Sequence, residues 1–278
     1  MVKKHLFLVA ALMVFALAAP FLIILQGQTA DKNPSPAPDL KSSQRSLDDI
    51  KKNFPSVEYT SELAADESRK SKSAKYDKYK VLNPEITEDG NEMSFGHWLP
   101  NESPLPVTDS EIIVLGKVTS LDAHLSSNKN AVYSELSIEI EKVFKNSKND
   151  EFEEGKFVTA ERDGGIVIFP PGFKMWYLVL GQGMPRVGGR YVFFLTHEFA
   201  FYGYKEKDLF LLTAYELREG RVYPLDSPDG GTHPVATFYK GKEESVLISD
   251  LKDALKKSKR LCQSKEGIHA LNFIDTPN

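Results

Sequence analysis

The chain has 278 residues, 41% hydrophobic and 27% charged, with a formal net charge of −4. That balance suits one large or two small globular domains and excludes the strong basic excess of general nucleic-acid binders. Cys262 is the only cysteine, which rules out an intrachain disulfide, so any core must hold without covalent staples.

The first element is apolar. Two lysines, Lys3 and Lys4, precede residues 6–25, a run of twenty without a charged or strongly polar side chain. Twenty helical residues span about 30 Å, the thickness of a bilayer's hydrocarbon core. The charge before the run, with only Lys32 in the fifteen residues after it, orients the N-terminus inward. A transmembrane helix over 1–25 is therefore expected, placing the protein in the inner membrane as a single pass with its folded part extracytoplasmic. The alternative is a cleaved signal peptide and a secreted or periplasmic product. Cleavage after Ala16-Leu-Ala18 leaves Phe21-Leu-Ile-Ile-Leu25 as an apolar stub, and a cut after Ala30 puts Gln28 where a small residue is needed.

Residues 26–106 read as a flexible linker. Pro34, Pro36 and Pro38 favour an extended spacer, and Ser46 begins a short helix candidate over 46–53. The stretch 66–80 carries six basic and three acidic residues with almost nothing apolar. Two readings compete for it, a solvated tether and a contact with anionic lipid or cell-wall polymer.

From Glu111 the pattern changes to alternation, and an antiparallel β-barrel domain is expected over 107–226. Strands are predicted at 111–118, 131–144, 156–161, 166–169, 174–180, 190–196, 209–217 and 221–223. Turn residues such as Asp163-Gly-Gly165, Pro170-Pro-Gly172 and Glu219-Gly220 separate them. The second strand is the clearest: Val132, Ser134, Leu136, Ile138 and Ile140 share one face, and Tyr133, Glu135, Ser137, Glu139 and Glu141 share the other. That division implies one buried and one wet face. No helical period interrupts the series, so the fold class is mainly β, a small antiparallel OB-like barrel, with a sandwich as the alternative. Residues 227–278 follow as a loop and an amphipathic C-terminal helix over 246–261. Leu247, Leu251, Ala254, Leu255 and Leu261 form its stripe, which either closes the barrel or lies on a membrane surface.

The segments Ile112-Ile-Val-Leu-Gly-Lys-Val118, Glu161-Arg-Asp-Gly-Gly165 and Gly181-Gln-Gly-Met-Pro-Arg-Val-Gly-Gly-Arg190 are distinctive. So is Tyr215-Glu-Leu-Arg-Glu-Gly-Arg-Val-Tyr-Pro-Leu-Asp226. Across 111–226 they resemble a group of uncharacterised exported bacterial proteins. The opening strand and long second strand are also similar to OB barrels of the netrin and tissue-inhibitor type, although the disulfides and N-terminal cysteine of those inhibitors are absent. The resemblance implies an exported OB barrel and no activity or catalytic residue.

Metal and nucleophile motifs fail on spacing. His197-Glu198 begins a zincin motif, but Phe201 stands where its second histidine is required. There is no Gly-x-Ser-x-Gly elbow, and Ser126 to Lys129 and Ser249 to Lys252 lack a Lys-Thr-Gly partner. The glycines at 181–189 lead into a strand, whereas a dinucleotide site needs a helix N-terminus. No cofactor and no metal are expected, and an enzyme is disfavoured.

One binding candidate remains: Arg162, Trp176 and Arg186, brought to strand ends with Glu161 and the Gly164-Gly165 turn. Loops on a rigid barrel suit ligands, and arginine with tryptophan is a common anchor set. In the competing reading the arginines pair with nearby acids and Trp176 fills the core. The expected function is a non-enzymatic binding or interaction module, tied to the membrane by its N-terminal helix, with an envelope protein or cell-wall polymer as partner and no nucleic acid. An envelope hydrolase and a scaffold or inhibitor subunit are the alternatives.

Overall fold

A computed structural model describes residues 52–61, 67–78, 92–97, 103–147, 151–198, 205–227 and 233–271. The leader at 6–25, most of the helix candidate at 46–53 and the aromatic stretch at 199–204 lie outside the described residues. In chain order the elements are β1 (Ser56–Glu58), α1 (Glu67–Lys75, continued by a 3-10 turn over Tyr76–Lys78) and β2 (Glu92–His97). They continue with β3 (Ile112–Leu125), β4 (Val132–Lys145), β5 (Phe157–Asp163), β6 (Gly165–Phe169) and β7 (Phe173–Leu180). Then come β8 (Arg190–Glu198), β9 (Lys205–Arg218), β10 (Arg221–Pro224), α2 (Pro234–Thr237) and α3 (Glu244–Leu271).

The protein is mainly β, with a closed five-stranded barrel and a C-terminal helix. The barrel order is β5-β4-β3-β8-β9, closed by pairing of β9 with β5. All eight strands expected after Glu111 form, as β3 to β10. Their expected uniform antiparallel pairing does not hold, because Ala160 and Glu161 of β5 run parallel to Leu209 and Phe210 of β9. A parallel pair needs a long connection, and the chain supplies one through β6, β7 and β8 in place of a helix. β6 and β7 leave the barrel for a second sheet of order β1-β6-β7-β2, in which β1 and β2 pair in parallel on its edges. Part of the segment expected to be a flexible linker is therefore folded, since β1, α1 and β2 all fall within 26–106.

Each barrel strand sends alternate residues inward. Ile112, Val114, Leu136, Ile138, Val158, Ala160, Phe193, Leu195, Leu209 and Leu211 meet in one buried cluster. Each large aliphatic or aromatic side chain so buried contributes about 1.5–3 kcal/mol relative to exposure. β3 and β4 each span 14 residues, and their pairing shifts register at three places. Bulges increase the twist that a small barrel needs. At one of them Gly116 has no room for a side chain, since a Cβ would sit 2.6 Å from both the Glu139 carbonyl and Ile138.

Two helices cover the barrel's outside by different physics. Leu247 and Leu251 of α3 are fully buried in a second apolar cluster with Val192, Phe194, Tyr215 and Tyr239. The expected helix over 246–261 is longer, and Leu261 is 63% exposed, outside the stripe. Side packing on the barrel accounts for the apolar residues of α3 up to Leu255. The Tyr215 hydroxyl donates to the Pro104 carbonyl at 2.5 Å, tying the chain ahead of β3 to the same cluster. Removing that hydroxyl (Tyr215→Phe) should cost about 1–2 kcal/mol in urea denaturation, because the carbonyl loses its donor. No described helix is long and apolar enough to cross a membrane.

Candidate functional site

α1 is held on the opposite principle. Its sequence, Glu-Ser-Arg-Lys-Ser-Lys-Ser-Ala-Lys over 67–75, has no large apolar side chain. At nine residues it falls below the roughly 12–15 that an isolated helix needs in water, so docking must form it. Arg69, Lys72 and Lys75 recur at i, i+3 and i+6, and Ser73 and Tyr76 fall on the same side. That side meets the barrel.

Three acids receive it. Glu135 of β4 and Glu161 of β5 stand directly opposite each other in the antiparallel ladder. Phe210 of β9 continues the row beside Glu161, and Asp208, two residues earlier, shares its face. Directly opposed like charges destabilise a sheet; at an effective dielectric near 20, two unit charges about 5 Å apart repel by roughly 3 kcal/mol. The row therefore needs cations.

The contacts are close. Arg69 Nη1 lies 2.5 Å from Glu135 Oε2, and Lys72 Nζ lies 3.0 Å from Glu135, 3.3 Å from Asp208 and 3.7 Å from Glu161. Lys75 Nζ lies 2.6 Å from Glu161 and 2.9 Å from Asp208, and sits 4.7 Å above the Phe210 ring. The Tyr76 hydroxyl donates to Glu161 Oε2 at 2.5 Å, and its ring stacks on Tyr133 at 4.1 Å. Asp77 closes the lower end by accepting from the Asn128 backbone N–H at 2.8 Å and from the Ser127 hydroxyl. His124 completes the rim: its Nε2 lies 2.8 Å from Arg69 Nη1 and 3.4 Å from Glu135 Oε2.

The environments pull the two glutamates apart. Burial pushes the Glu135 carboxyl up, but the hydrogen bonds of His124 and Lys72 and the charges of Lys72 and Arg69 outweigh it and hold the group at about 2. Burial dominates at Glu161 and raises it, against the pull of Lys75 and the Tyr76 hydroxyl. A carboxyl depressed in the folded state stabilises above its ordinary value and loses that contribution as pH falls through the folded one. The Glu135 contribution to α1 docking should therefore fade between pH 4.5 and about 2. NMR amide signals of 69–76 moving to coil positions across that window, ahead of those of β4, would show it.

The solvated-tether reading of 66–80 is thus corrected for 67–78: three of its basic side chains are spent on barrel acids. The expected wet face of β4 is likewise covered at one end, where Tyr133 is fully buried and Glu135 is 8% exposed.

The residues singled out from sequence do not form one site. Arg162 points into the barrel, with neither its side chain nor that of Asp226 exposed. It donates to Asp226 and, at 3.1 Å, to the Leu211 carbonyl, while the Gly183 N–H and the Thr213 hydroxyl complete the carboxylate at 2.8 and 2.7 Å. Burial lowers the guanidinium and raises the carboxyl, and their mutual attraction opposes both. Trp176 packs beside Phe54, Ile166 and Met184, where the second sheet meets the barrel. Arg186 pairs with the buried Glu216 at 2.5 Å, and its backbone N–H donates to the Tyr191 hydroxyl at 3.0 Å. The glycine-rich run at 181–189 is a strap tying these points together. At Gly183 a Cβ would fall 2.1 Å from the Leu225 carbonyl oxygen. Gly183→Ala should therefore lower stability by about 1–3 kcal/mol, read as a reduced denaturant midpoint at unchanged slope.

Sequence reasoning missed Lys72, Lys75, Glu135 and Asp208 as partners. The signal was there in the three-residue spacing of Arg69, Lys72 and Lys75, a cationic stripe on a helix. Among the described residues no group of three or more His, Cys, Asp or Glu could hold a metal ion. No family model, curated protein or solved structure matches the chain.

Proposed function

We propose that this chain is a membrane-anchored extracytoplasmic binding module, with residues 6–25 as a retained single span and the barrel as the part that meets partners. The strand order with its parallel closing pair supports an OB-like reading of the barrel. The observation that carries the proposal is the opposition of Glu135 and Glu161 on adjacent strands. Two acids directly opposed in a ladder repel each other, and a surface that binds cations, as this one binds those of α1, needs them there.

An envelope hydrolase is the second reading, favoured by the divergent titration of the same two glutamates, which would suit an acid and a base. Against it, Glu161 is 1% exposed beneath α1, so a substrate cannot reach it without removing the helix.

The test places a photo-crosslinking residue at Thr159, which lies exposed on the face of β5 that carries Glu161. In the full chain expressed in its own membranes, a discrete adduct with one envelope protein that disappears in Glu135→Gln/Glu161→Gln supports the module. Turnover of a cell-wall or peptide substrate, lost in the same variant, supports the hydrolase instead. An intact mass that includes residues 1–25 supports the anchor.

A further inference from the structure

We infer that the acidic row of β4, β5 and β9 is a docking site for a helical segment of a partner protein, one with cationic side chains three residues apart followed by an aromatic, and that α1 is the chain's own occupant of it. This rests on the binding-module reading and names the partner's chemistry.

The row and its occupant are complementary in charge. The row engages cations at i, i+3 and i+6 of one helix and an aromatic at i+7, so it reads a pattern rather than a single charge. Among the described residues no group of three or more acids or histidines could hold a metal ion, and the three acids of the row are already spanned by Lys72 and Lys75, so a cationic peptide suits the row better than a divalent ion.

α1 also leaves one acceptor of the row unserved. Among the described residues nothing donates a hydrogen bond to the buried Glu161 Oε1, and Lys72 Nζ stays 3.7 Å away. A buried carboxylate oxygen is seldom left so. An arginine at the Lys72 position of a competing helix has the longer, forked reach to bond Glu135 and Glu161 together.

The two covering helices also differ in how readily they can exchange. α3 is fastened by fully buried leucines, whereas α1 is a short helix held by ion pairs that are partly exposed at Arg69 and Lys72 and buried at Lys75, by the Asp77 contacts, and by no large buried side chain other than Tyr76 among its described residues. Segments with little apolar burial open at the low end of a protein's free-energy range. A competitor meets a site whose open fraction sets its apparent affinity.

The probe is a fluorescent synthetic peptide with the sequence of residues 66–80, followed by anisotropy against the full chain. It should bind Arg69→Gln/Lys72→Gln/Lys75→Gln, whose own helix no longer competes, at least tenfold more tightly than the wild type. Binding should vanish when Glu135→Gln and Glu161→Gln are added, and a peptide with glutamate at the three cationic positions should not bind. Failure of the 66–80 peptide to bind a folded triple variant, or equal binding to wild type and triple variant, overturns the proposal. If the triple variant does not fold, excess peptide added to the wild type should release the amide protection of 69–76, and unchanged protection overturns the proposal. A wild-type dimer that forms by exchanging α1 replaces the partner with a second copy and overturns the assignment. A Thr159 adduct that persists in Glu135→Gln/Glu161→Gln overturns this site but leaves the module standing. Peptide binding with no envelope adduct overturns the module reading alone.

Discussion

Asp226→Ala should cost the barrel about 3–5 kcal/mol, the largest single effect expected in this chain. The side chain is fully buried, and its loss strands the Arg162 guanidinium inside the barrel without a counterion. It also leaves the Gly183 N–H and the Thr213 hydroxyl without their acceptor. The cost comes from the orphaned charge rather than from the worth of the pair. Replacing both partners, as Arg162→Met/Asp226→Asn, should therefore recover most of it, to within about 1–2 kcal/mol of the wild type. Urea midpoints at constant slope measure this, and a double variant no better than the single one contradicts it.

Tyr76→Ala should have the second largest effect, and a differently distributed one. The ring is fully buried on Tyr133, and the hydroxyl bonds Glu161, so truncation removes about 3–5 kcal/mol of local packing and polar contact. The loss is capped at the free energy that docks α1, because once the helix leaves, nothing more is lost. The expected result is full amide exchange in 69–76 with the barrel's thermal midpoint shifted far less than a core truncation would shift it. Tyr76→Phe separates the parts: it keeps the stack and removes the hydroxyl with its hydrogen bond to Glu161.

Much of the barrel was legible because period-two alternation is a strong signal, and β4 carries it across most of its length. What was not legible follows from the same chemistry. Parallel closure of β5 on β9 depends on which strands meet in space, and alternation says nothing about that. β1 and β2 are short edge strands whose partners, β6 and β7, lie far along the chain. Arg162 was conspicuous as a charged residue amid β-pattern, and it faces inward because Val158 and Ala160, at the same parity, do. Its partner Asp226 sits 64 residues away, beyond the reach of spacing arguments. The cationic stripe of α1 read as solvated because a basic run is ordinarily solvated. Only the acids of three separate strands, brought side by side by the barrel, give it a place to dock.

α1 covers the barrel by ion pairing while α3 covers it by apolar burial. Amide hydrogen exchange on the full chain at 20 mM and at 1 M sodium chloride, concentrations that differ by a Debye length of roughly 20 Å against about 3 Å, tests it directly. The account predicts that protection of 69–76 falls sharply at high salt while that of 247–255 holds. Equal behaviour of the two helices, or an α1 indifferent to salt, would contradict it.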